Sequence, residues 1–279
     1  DVERSRGLGD VYKRQEYKFP VKEKRGACYE DYQVSSYDLE YPSWACTPDT
    51  EFAQQDDCDF VMGEFVWTGF DYLGEPTPYN EGTPARSSYF GIVDLAGLKK
   101  DRYYLYKSKW SDKPVLHLLP HWNWEERLGQ QVPVFCYTNY PKAELFVNGK
   151  SMGVKQKNRN SVYERYRLMW NNVVYEPGEI KVVAYGDDGK VAETQTIKTA
   201  GCTYKIRATV DRDTILADGK DLAFVTVEIL DKQGNLCPKA DNLLFFDVEG
   251  NVSLKAVCNG DPTDQTSFSS TYMLSLIHI

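Results

Sequence analysis

Hydrophobic and polar positions alternate along most of the chain after residue 113, which is the period of β-strands. Asn148-Gly149 and Asp188-Gly189 are residue pairs that accept the positive φ angles of tight hairpins. One predicted strand has an apolar row on the face that would point into a sheet: Ile180, Val182 and Ala184. The spacing of strands and turns predicts an immunoglobulin-like β-sandwich at residues 113–200.

A second alternating region begins at Cys202. Apolar residues recur at every second position in residues 206–210 and again in residues 223–229, and the turn sequence DKQGN follows. This pattern predicts a second immunoglobulin-like sandwich at residues 201–268. Because the pattern stops after residues 259–263, we expect this sandwich to be truncated, with an unpaired sheet edge.

The first 112 residues show helical and buried-strand patterns instead. Thr47 is a candidate N-cap with Pro48 at the first helical position, which predicts a short helix at residues 47–55, and a second helix is predicted at residues 101–109. Between them, residues 60–67 form an apolar run that ends in Trp67 and enters a Gly-, Pro- and Tyr-rich loop. Such a strand presents a site in α/β barrels, although a core strand with a packed Trp gives the same pattern.

Composition narrows the classes of function. The net charge of −8 argues against a nucleic-acid partner, and no apolar run approaches the 18 residues of a membrane span. Aromatic residues make up 14% of the chain, which suits a carbohydrate partner because aromatic rings cover the apolar faces of sugars. Seven scattered cysteines without a C-x-x-C pair and three histidines predict neither a metal site nor a cofactor.

The run FVWTGFDYLGEPTPY resembles the end of the eighth barrel strand in glycoside hydrolase family 2, the β-galactosidase and β-glucuronidase family. Members carry a W-x-x-x-D pattern there, matched by Trp67 and Asp71. Residues 87–110 are similar to the family's segment that leads from this strand to the last barrel helix. The resemblance spans about residues 16–268 and implies that residues 16–112 are the end of a (β/α)8 TIM barrel.

The resemblance implies a retaining glycosidase that acts on β-linked glycosides, with β-galactosides as the expected substrate. Trp67 and Asp71 would bind substrate, and Tyr72 and Glu75 are weaker candidates on the same loop. A β-glucuronidase and an adhesion protein made of sandwich modules are the alternatives.

The catalytic pair is expected outside this chain. Retaining hydrolysis needs two glutamates, a nucleophile and an acid/base. The family pattern places both of them upstream of Glu16, where the first 15 residues do not resemble barrel sequence. No catalytic residue is therefore assigned, Glu64 included, and we expect the chain itself to be inactive.

Two further features are interpreted from their surroundings. Residues 1–15 and the closing residues 274–279 resemble translated sequencing adapter, and residues 1–15 and 269–279 are expected to lie outside the native fold. Trp44 is expected to anchor a loop by packing. The aromatic cluster HWNW at residues 121–124 is expected to pack against the barrel segment, with a sugar-contacting patch as the alternative.

Overall fold

The computed structural model describes residues 36–39, 41, 45–76 and 85–275. The predicted adapter segment at residues 1–15, Glu16 at the expected start of the barrel segment, and Trp44 lie outside these ranges. The elements, in chain order, are the helices α1 (Pro48–Asp57) and α2 (Asp101–Trp110), followed by the strands β1 (Leu116–Leu119), β2 (Val134–Thr138), β3 (Lys142–Val147), β4 (Lys150–Gln156), β5 (Arg167–Trp170), β6 (Glu179–Tyr185), β7 (Val191–Lys198), β8 (Lys205–Val210), β9 (Val225–Leu230), β10 (Leu243–Phe245) and β11 (Tyr272–Leu274).

Both predicted helices are confirmed. Helix α1 starts at Pro48. A proline is tolerated at this position because the N–H groups of the first helical turn have no acceptor within the helix. Acidic residues follow in the first turn of α1. Thr47 occupies the N-cap position, but its hydroxyl contacts the Thr50 hydroxyl at 3.2 Å and caps no backbone N–H. Helix α2 places Asp101 in its first turn and lysines in its last, as the helix dipole favours.

Strands β1–β7 form two antiparallel sheets that pack face to face. One sheet has the order β1-β2-β5 and the other β4-β3-β6-β7. The predicted inward row on β6 is confirmed, since all three of its members have no exposed surface and pack in the core between the sheets. The β3–β4 hairpin turns through Asn148 (φ 48°) and Gly149 (φ 78°), as predicted from that pair.

The sheet β1-β2-β5 is buried on both faces. Val134 and Cys136 of β2 face the sandwich core, whereas Phe135 and Tyr137 face a second core. That second core contains residues of both helices and of the preceding segment: Tyr37, Leu39, Phe52, Leu105 and Tyr106. The outer face of the sandwich is therefore continuous with the packing of residues 36–112.

A buried ion pair crosses this second core. Arg167 of β5 donates from Nε to Asp49 Oδ1 at 2.9 Å, and its second terminal nitrogen contacts Asp49 Oδ2. A third donor of the same guanidinium reaches the Tyr37 carbonyl at 2.6 Å. Neither side chain is exposed, and burial raises the pKa of Asp49 to about 6 against the attraction of Arg167. Pairing of this kind is what allows two charges to lie inside a core.

Residues 201–275, here named the C-terminal third, contain two separate two-stranded sheets, β8-β9 and β10-β11. A small core of Ala200, Ile229, Cys237 and Ala240 supports it. The alternation in β8 predicted an inward row, but Ile206 is 60% exposed because no described element covers that face. The expected end of this fold at residue 268 is also corrected, since β11 pairs with β10 and buries Met273.

The HWNW cluster packs differently from the expectation. Trp122 lies in the core of the sandwich and donates its indole N–H to the Glu176 carbonyl at 2.9 Å. Trp124 stacks on His121 with 4.4 Å between ring centroids, and the Lys239 ammonium lies 5.2 Å from its ring. The cluster thus packs within the sandwich and against Lys239 of the C-terminal third.

Residues 60–67, predicted as a buried strand, belong to no sheet. A strand needs a neighbouring backbone for its hydrogen bonds, and no described segment runs beside this one. Three apolar side chains of the run are accordingly exposed: Phe60 at 85%, Met62 at 103% and Phe65 at 90%.

Candidate functional site

Residues 67–75, here named the Trp67 loop, are held against residues 85–94, here named the return segment. Backbone hydrogen bonds join them at both ends: Asp71 N to Val93 O (2.9 Å), Gly74 N to Arg86 O (3.1 Å), Ile92 N to Thr68 O (3.1 Å) and Val93 N to Gly69 O (3.0 Å). The loop is therefore fixed by main-chain contacts along most of its length, although it has no regular strand.

Gly91 allows the closest approach of the two segments. A Cβ atom at this position would lie 2.1 Å from the Asp71 backbone nitrogen and 2.4 Å from the Phe70 carbonyl carbon. Neither of these backbone atoms can move away without breaking the pairing described above. A residue without a side chain is thus required at position 91.

Asp71 is the anchor of the loop. Its Oδ1 accepts hydrogen bonds from Gly91 N at 2.7 Å and from Lys100 Nζ at 2.9 Å, and the ammonium lies 2.7 Å from Oδ2. The Asp71 side chain has no exposed surface. Burial raises the pKa of Asp71 and lowers that of Lys100, and in each case the attraction of the partner opposes the shift. The carboxylate faces protein groups and does not reach the surface.

Trp67 is presented at the surface of the same loop. Trp67 is 52% exposed, and the peptide bond between Trp67 and Thr68 is cis. The indole N–H donates to the Tyr72 hydroxyl at 3.1 Å, and the two rings meet edge to face with centroids 5.9 Å apart. The Tyr72 hydroxyl in turn donates to the Glu75 carboxylate. Burial raises the pKa of Tyr72, and the hydrogen bond to Glu75 raises it further.

The structure therefore divides the predicted site residues into two groups. It brings Trp67, Tyr72 and Glu75 together at the surface, and it places Asp71 beneath them in contact with Lys100. An exposed aromatic ring beside a carboxylate can cover an apolar sugar face and accept hydrogen bonds from hydroxyls. Among the residues that the structure describes, no three His, Cys, Asp or Glu side chains come together to hold a metal ion.

The expected catalytic pair has no counterpart in the described ranges. Glu16, upstream of which both glutamates are expected, precedes the first described residue, so the placement of that pair stays a prediction. Glu64 lies apart from the Trp67 group and is half-buried. Burial raises its pKa to about 7, with the nearby Gln55 amide opposing the shift and the charge of Glu51 adding to it. Both of these neighbours belong to α1, so Glu64 faces that helix.

Sequence reasoning missed Lys100, Gly91 and Arg86. Lys100 and Asp71 are 29 residues apart, and no local pattern in the sequence connects them. Gly91 stands in the run YFGIVD between apolar residues, where a glycine outside any turn is a signal of close backbone approach.

None of the helices in the described part of the chain has the length and apolar character needed to cross a bilayer.

Two family models match the chain. Residues 129–193 match a domain of unknown function, DUF4982, and residues 206–276 match the glycoside hydrolase family 2 C-terminal domain 5. The first match lies within the two-sheet sandwich, and the second covers strands β8 to β11.

Curated relatives are glycosidases by name. The chain is 52% identical over 238 residues to β-galactosidase BoGH2A of Bacteroides ovatus, a match that covers 85% of this chain and 27% of that protein. It is 31% identical over 179 residues to a β-glucuronidase of Formosa agariphila, with 63% of this chain and 18% of that protein covered. The chain thus spans about a quarter or less of these relatives' length.

Solved structures agree with these matches. A β-glycosidase from Bacteroides vulgatus superposes with a TM-score of 0.79 at 30% identity, covering 98% of this chain and 36% of that one. A glycosyl hydrolase family 2 member from Bacteroides cellulosilyticus gives a TM-score of 0.71 at 30% identity, covering 80% and 32%. Sequence and structure together favour the hydrolase over the adhesion-protein alternative, and the chain belongs to glycoside hydrolase family 2.

Proposed function

We propose that this chain is part of a retaining glycosidase that cleaves terminal β-galactosides. The observation that carries this proposal is the 52% identity to a β-galactosidase over 85% of the chain, which includes the Trp67 loop within a shared fold. The geometry supports it, because the loop offers a rigidly held aromatic face next to a carboxylate. The partner is a carbohydrate, and no nucleic acid, membrane or cofactor is part of the proposal.

Within this proposal, Trp67 forms a wall of the sugar pocket. Its indole N–H is already bonded to Tyr72, so the ring is oriented before a ligand arrives. Glu75 and Tyr72 are placed to meet sugar hydroxyls at the same surface. Asp71 acts indirectly: its buried contacts with Lys100 and Gly91 hold the backbone that carries Trp67.

The proposed architecture is the end of a TIM barrel at residues 16–112, followed by an immunoglobulin-like sandwich at residues 113–200 and a second one that runs from residue 201 through β11. The exposed apolar side chains Phe60, Met62 and Phe65 support the first part, because a parallel barrel strand is buried on both faces and is therefore apolar on both. The seven strands β1–β7 in two sheets support the second part.

The 279-residue chain is proposed to be inactive, with both catalytic glutamates upstream of Glu16 in the complete enzyme. Double displacement needs two carboxyl groups about 5 Å apart across the sugar. In the Trp67 loop, Asp71 is enclosed by Lys100 and Gly91, and Glu75 accepts a hydrogen bond from the Tyr72 hydroxyl. The purified chain should give no turnover of p-nitrophenyl β-galactoside, and activity that stays with the chain through successive purification steps would contradict this.

Substitution of Trp67 in the complete enzyme tests its proposed role. Trp67→Ala should lower kcat/KM for the β-galactoside by about 30- to 1000-fold, equivalent to about 2–4 kcal/mol of lost transition-state binding. Trp67→Phe is the matched control and should retain most of the activity, because a phenyl ring still covers a sugar face. A Trp67→Ala enzyme that is destabilised but has unchanged kcat/KM per folded molecule would assign Trp67 to packing alone.

β-Glucuronidase is the second candidate function, favoured by the 31% identity to a relative of that name. The two substrates differ at C6, where a glucuronide carries a carboxylate that must be paired with a cation or hydrogen-bond donors. A panel of p-nitrophenyl β-galactoside and β-glucuronide on the complete enzyme distinguishes them. A kcat/KM that favours the glucuronide would overturn the galactosidase proposal and leave the role of Trp67 to be tested with that substrate.

A further inference from the structure

Arg86 lies where the C-terminal third of the chain meets the site. Its backbone N–H donates to the Pro262 carbonyl at 2.9 Å, and its guanidinium donates to the Thr266 carbonyl at 2.6 Å. The guanidinium carbon also lies 4.5 Å from the centroid of the Phe268 ring, a cation–π distance. Arg86 thus makes three contacts with residues 262–268, and two of them depend on its side chain.

On its other side, Arg86 contacts the Trp67 loop directly. Its carbonyl accepts the hydrogen bond from Gly74 N at 3.1 Å, and its neighbour Ser87 pairs with Leu73 in an isolated antiparallel bridge. Gly74 is adjacent to Glu75, which closes the network of Tyr72 and Trp67. One residue therefore connects the C-terminal third to the end of the loop that bears the candidate sugar-contacting groups.

The pairing at this end of the loop is short. A single backbone hydrogen bond and one isolated bridge hold Leu73 and Gly74, whereas Thr68, Gly69 and Asp71 are held by several bonds and a buried ion pair. A segment with few contacts opens at low cost in free energy, so an external anchor has a large effect on it. The side chain of Arg86 supplies such an anchor.

We propose that Arg86 is a positioning residue through which residues 262–268 hold the Trp67 loop in its site geometry. The inference rests on the proposed function only for its consequence in catalysis. The mechanical part concerns the chain itself: loss of the Arg86 side chain frees the Gly74 end of the loop, and the Glu75–Tyr72–Trp67 network loosens with it.

The test uses the 279-residue chain with the substitutions Arg86→Ala and Arg86→Lys. Arg86→Ala should speed hydrogen exchange of the Gly74 amide by about tenfold. It removes the hydrogen bond to Thr266 and the cation–π contact with Phe268, and two contacts of these types change an opening equilibrium by about that factor. It should also shift the NMR signal of the Trp67 indole N–H, identified by its loss in Trp67→Phe. Arg86→Lys keeps a cation near Phe268 and one donor, and should give intermediate values.

Arg212→Ala is the matched control. Arg212 is an exposed arginine of the same C-terminal third that pairs with Asp211 and Asp221 and contacts nothing in the loop. It should leave the Gly74 exchange and the Trp67 signal unchanged, and amides of β6 should exchange at the same rate in every variant. Unchanged Gly74 exchange in Arg86→Ala, or an equal change in Arg212→Ala, overturns the proposal.

Two further measurements complete the test. If Arg86→Ala does not fold, Arg86→Lys and Phe268→Leu take its place, and unchanged Gly74 exchange in both overturns the proposal. In the complete enzyme, Arg86→Ala should raise KM several-fold with kcat within about twofold, because the loop shapes binding and carries neither reacting carboxylate. An unmodified complete enzyme without glycosidase activity would instead refute the proposed function, and the exchange result would be unaffected.

Discussion

The buried pair Asp49–Arg167 gives the sharpest prediction about stability. Arg167→Met keeps an unbranched side chain in the second core but leaves Asp49 without its cation, with both side chains of the original pair fully enclosed. Removing one partner of such a pair costs about 3–5 kcal/mol, because an uncompensated charge stays buried. The Tyr37 carbonyl loses a hydrogen bond as well. We expect the packing between residues 36–112 and the sandwich to weaken by this amount at pH 8.

The loss should depend on pH, and its sign follows from Asp49. Burial raises the pKa of Asp49 to about 6 even with Arg167 present, and removal of the guanidinium raises it further. A carboxyl group with a higher pKa in the folded than in the unfolded state favours folding as pH falls through the folded value. Arg167→Met should therefore be less destabilised at pH 5 than at pH 8, because Asp49 then enters the core as a neutral acid.

Native-state hydrogen exchange of β2 and β5 amides measures this local free energy. Arg165→Met is the matched control, since Arg165 lies two residues away and pairs with Asp56 and Asp57, whose carboxylates are 31% and 61% exposed and keep their contact with water when Arg165 is lost, so the loss should be smaller. The double variant Asp49→Asn with Arg167→Met should recover part of the stability, as expected for coupled partners. A loss below about 1 kcal/mol, or one that is equal at both pH values, would refute the reasoning.

Two other predictions follow from the packing. Gly91→Ala should displace the Trp67 loop and shift the NMR signal of the Trp67 indole N–H, because its Cβ would lie 2.1 Å from Asp71 N. Gly69→Ala is the control and should leave both unchanged, because its Cβ would meet no atom within 4 Å. Equal behaviour of the two variants would contradict this prediction. Residues 113–200 expressed alone should melt cooperatively and bind a hydrophobic dye, because Phe135 and Tyr137 are no longer covered by residues 36–112. A cooperative melt without dye binding would show that the outer face is not apolar when free.

Local signals in the sequence predicted the local structure. Pro48 predicted the start of α1, and Asn148-Gly149 predicted the β3–β4 turn, because helix starts and turns depend on neighbours a few residues away. Burial followed the alternation in β6 but not in β8. The same pattern produces a buried row only where another element covers the strand, and the sequence of β8 carries no information about its cover.

The site shows the same division between local and distant determinants. The pattern W-x-x-x-D located the Trp67 loop, but it gave Trp67 and Asp71 equal standing, whereas one is exposed and the other is enclosed by Lys100. Contacts between residues 29 or more apart, such as Lys100 with Asp71 or Arg86 with Thr266, leave no trace in a single sequence. The apolar run VPVFCYT could have predicted the two-sided burial of β2, since strands buried on both faces lack alternation.

The two-sided sheet β1-β2-β5 has a consequence for anyone who recombines this protein with its relatives. A crossover near residue 113 would take Arg167, Tyr137 and Met169 from one parent and Asp49 and Phe52 from another, so both parents would need matching second cores. A crossover near Ala200 meets a smaller demand: the hydrogen bonds between Asn123 and Ala200, exposed pairs such as Lys239–Glu126, and the contacts of Arg86 with residues 262–268. Chimeras should therefore exchange residues 36–200 as one unit, and a C-terminal third from another parent should keep the partners of Arg86 at residues 262–268.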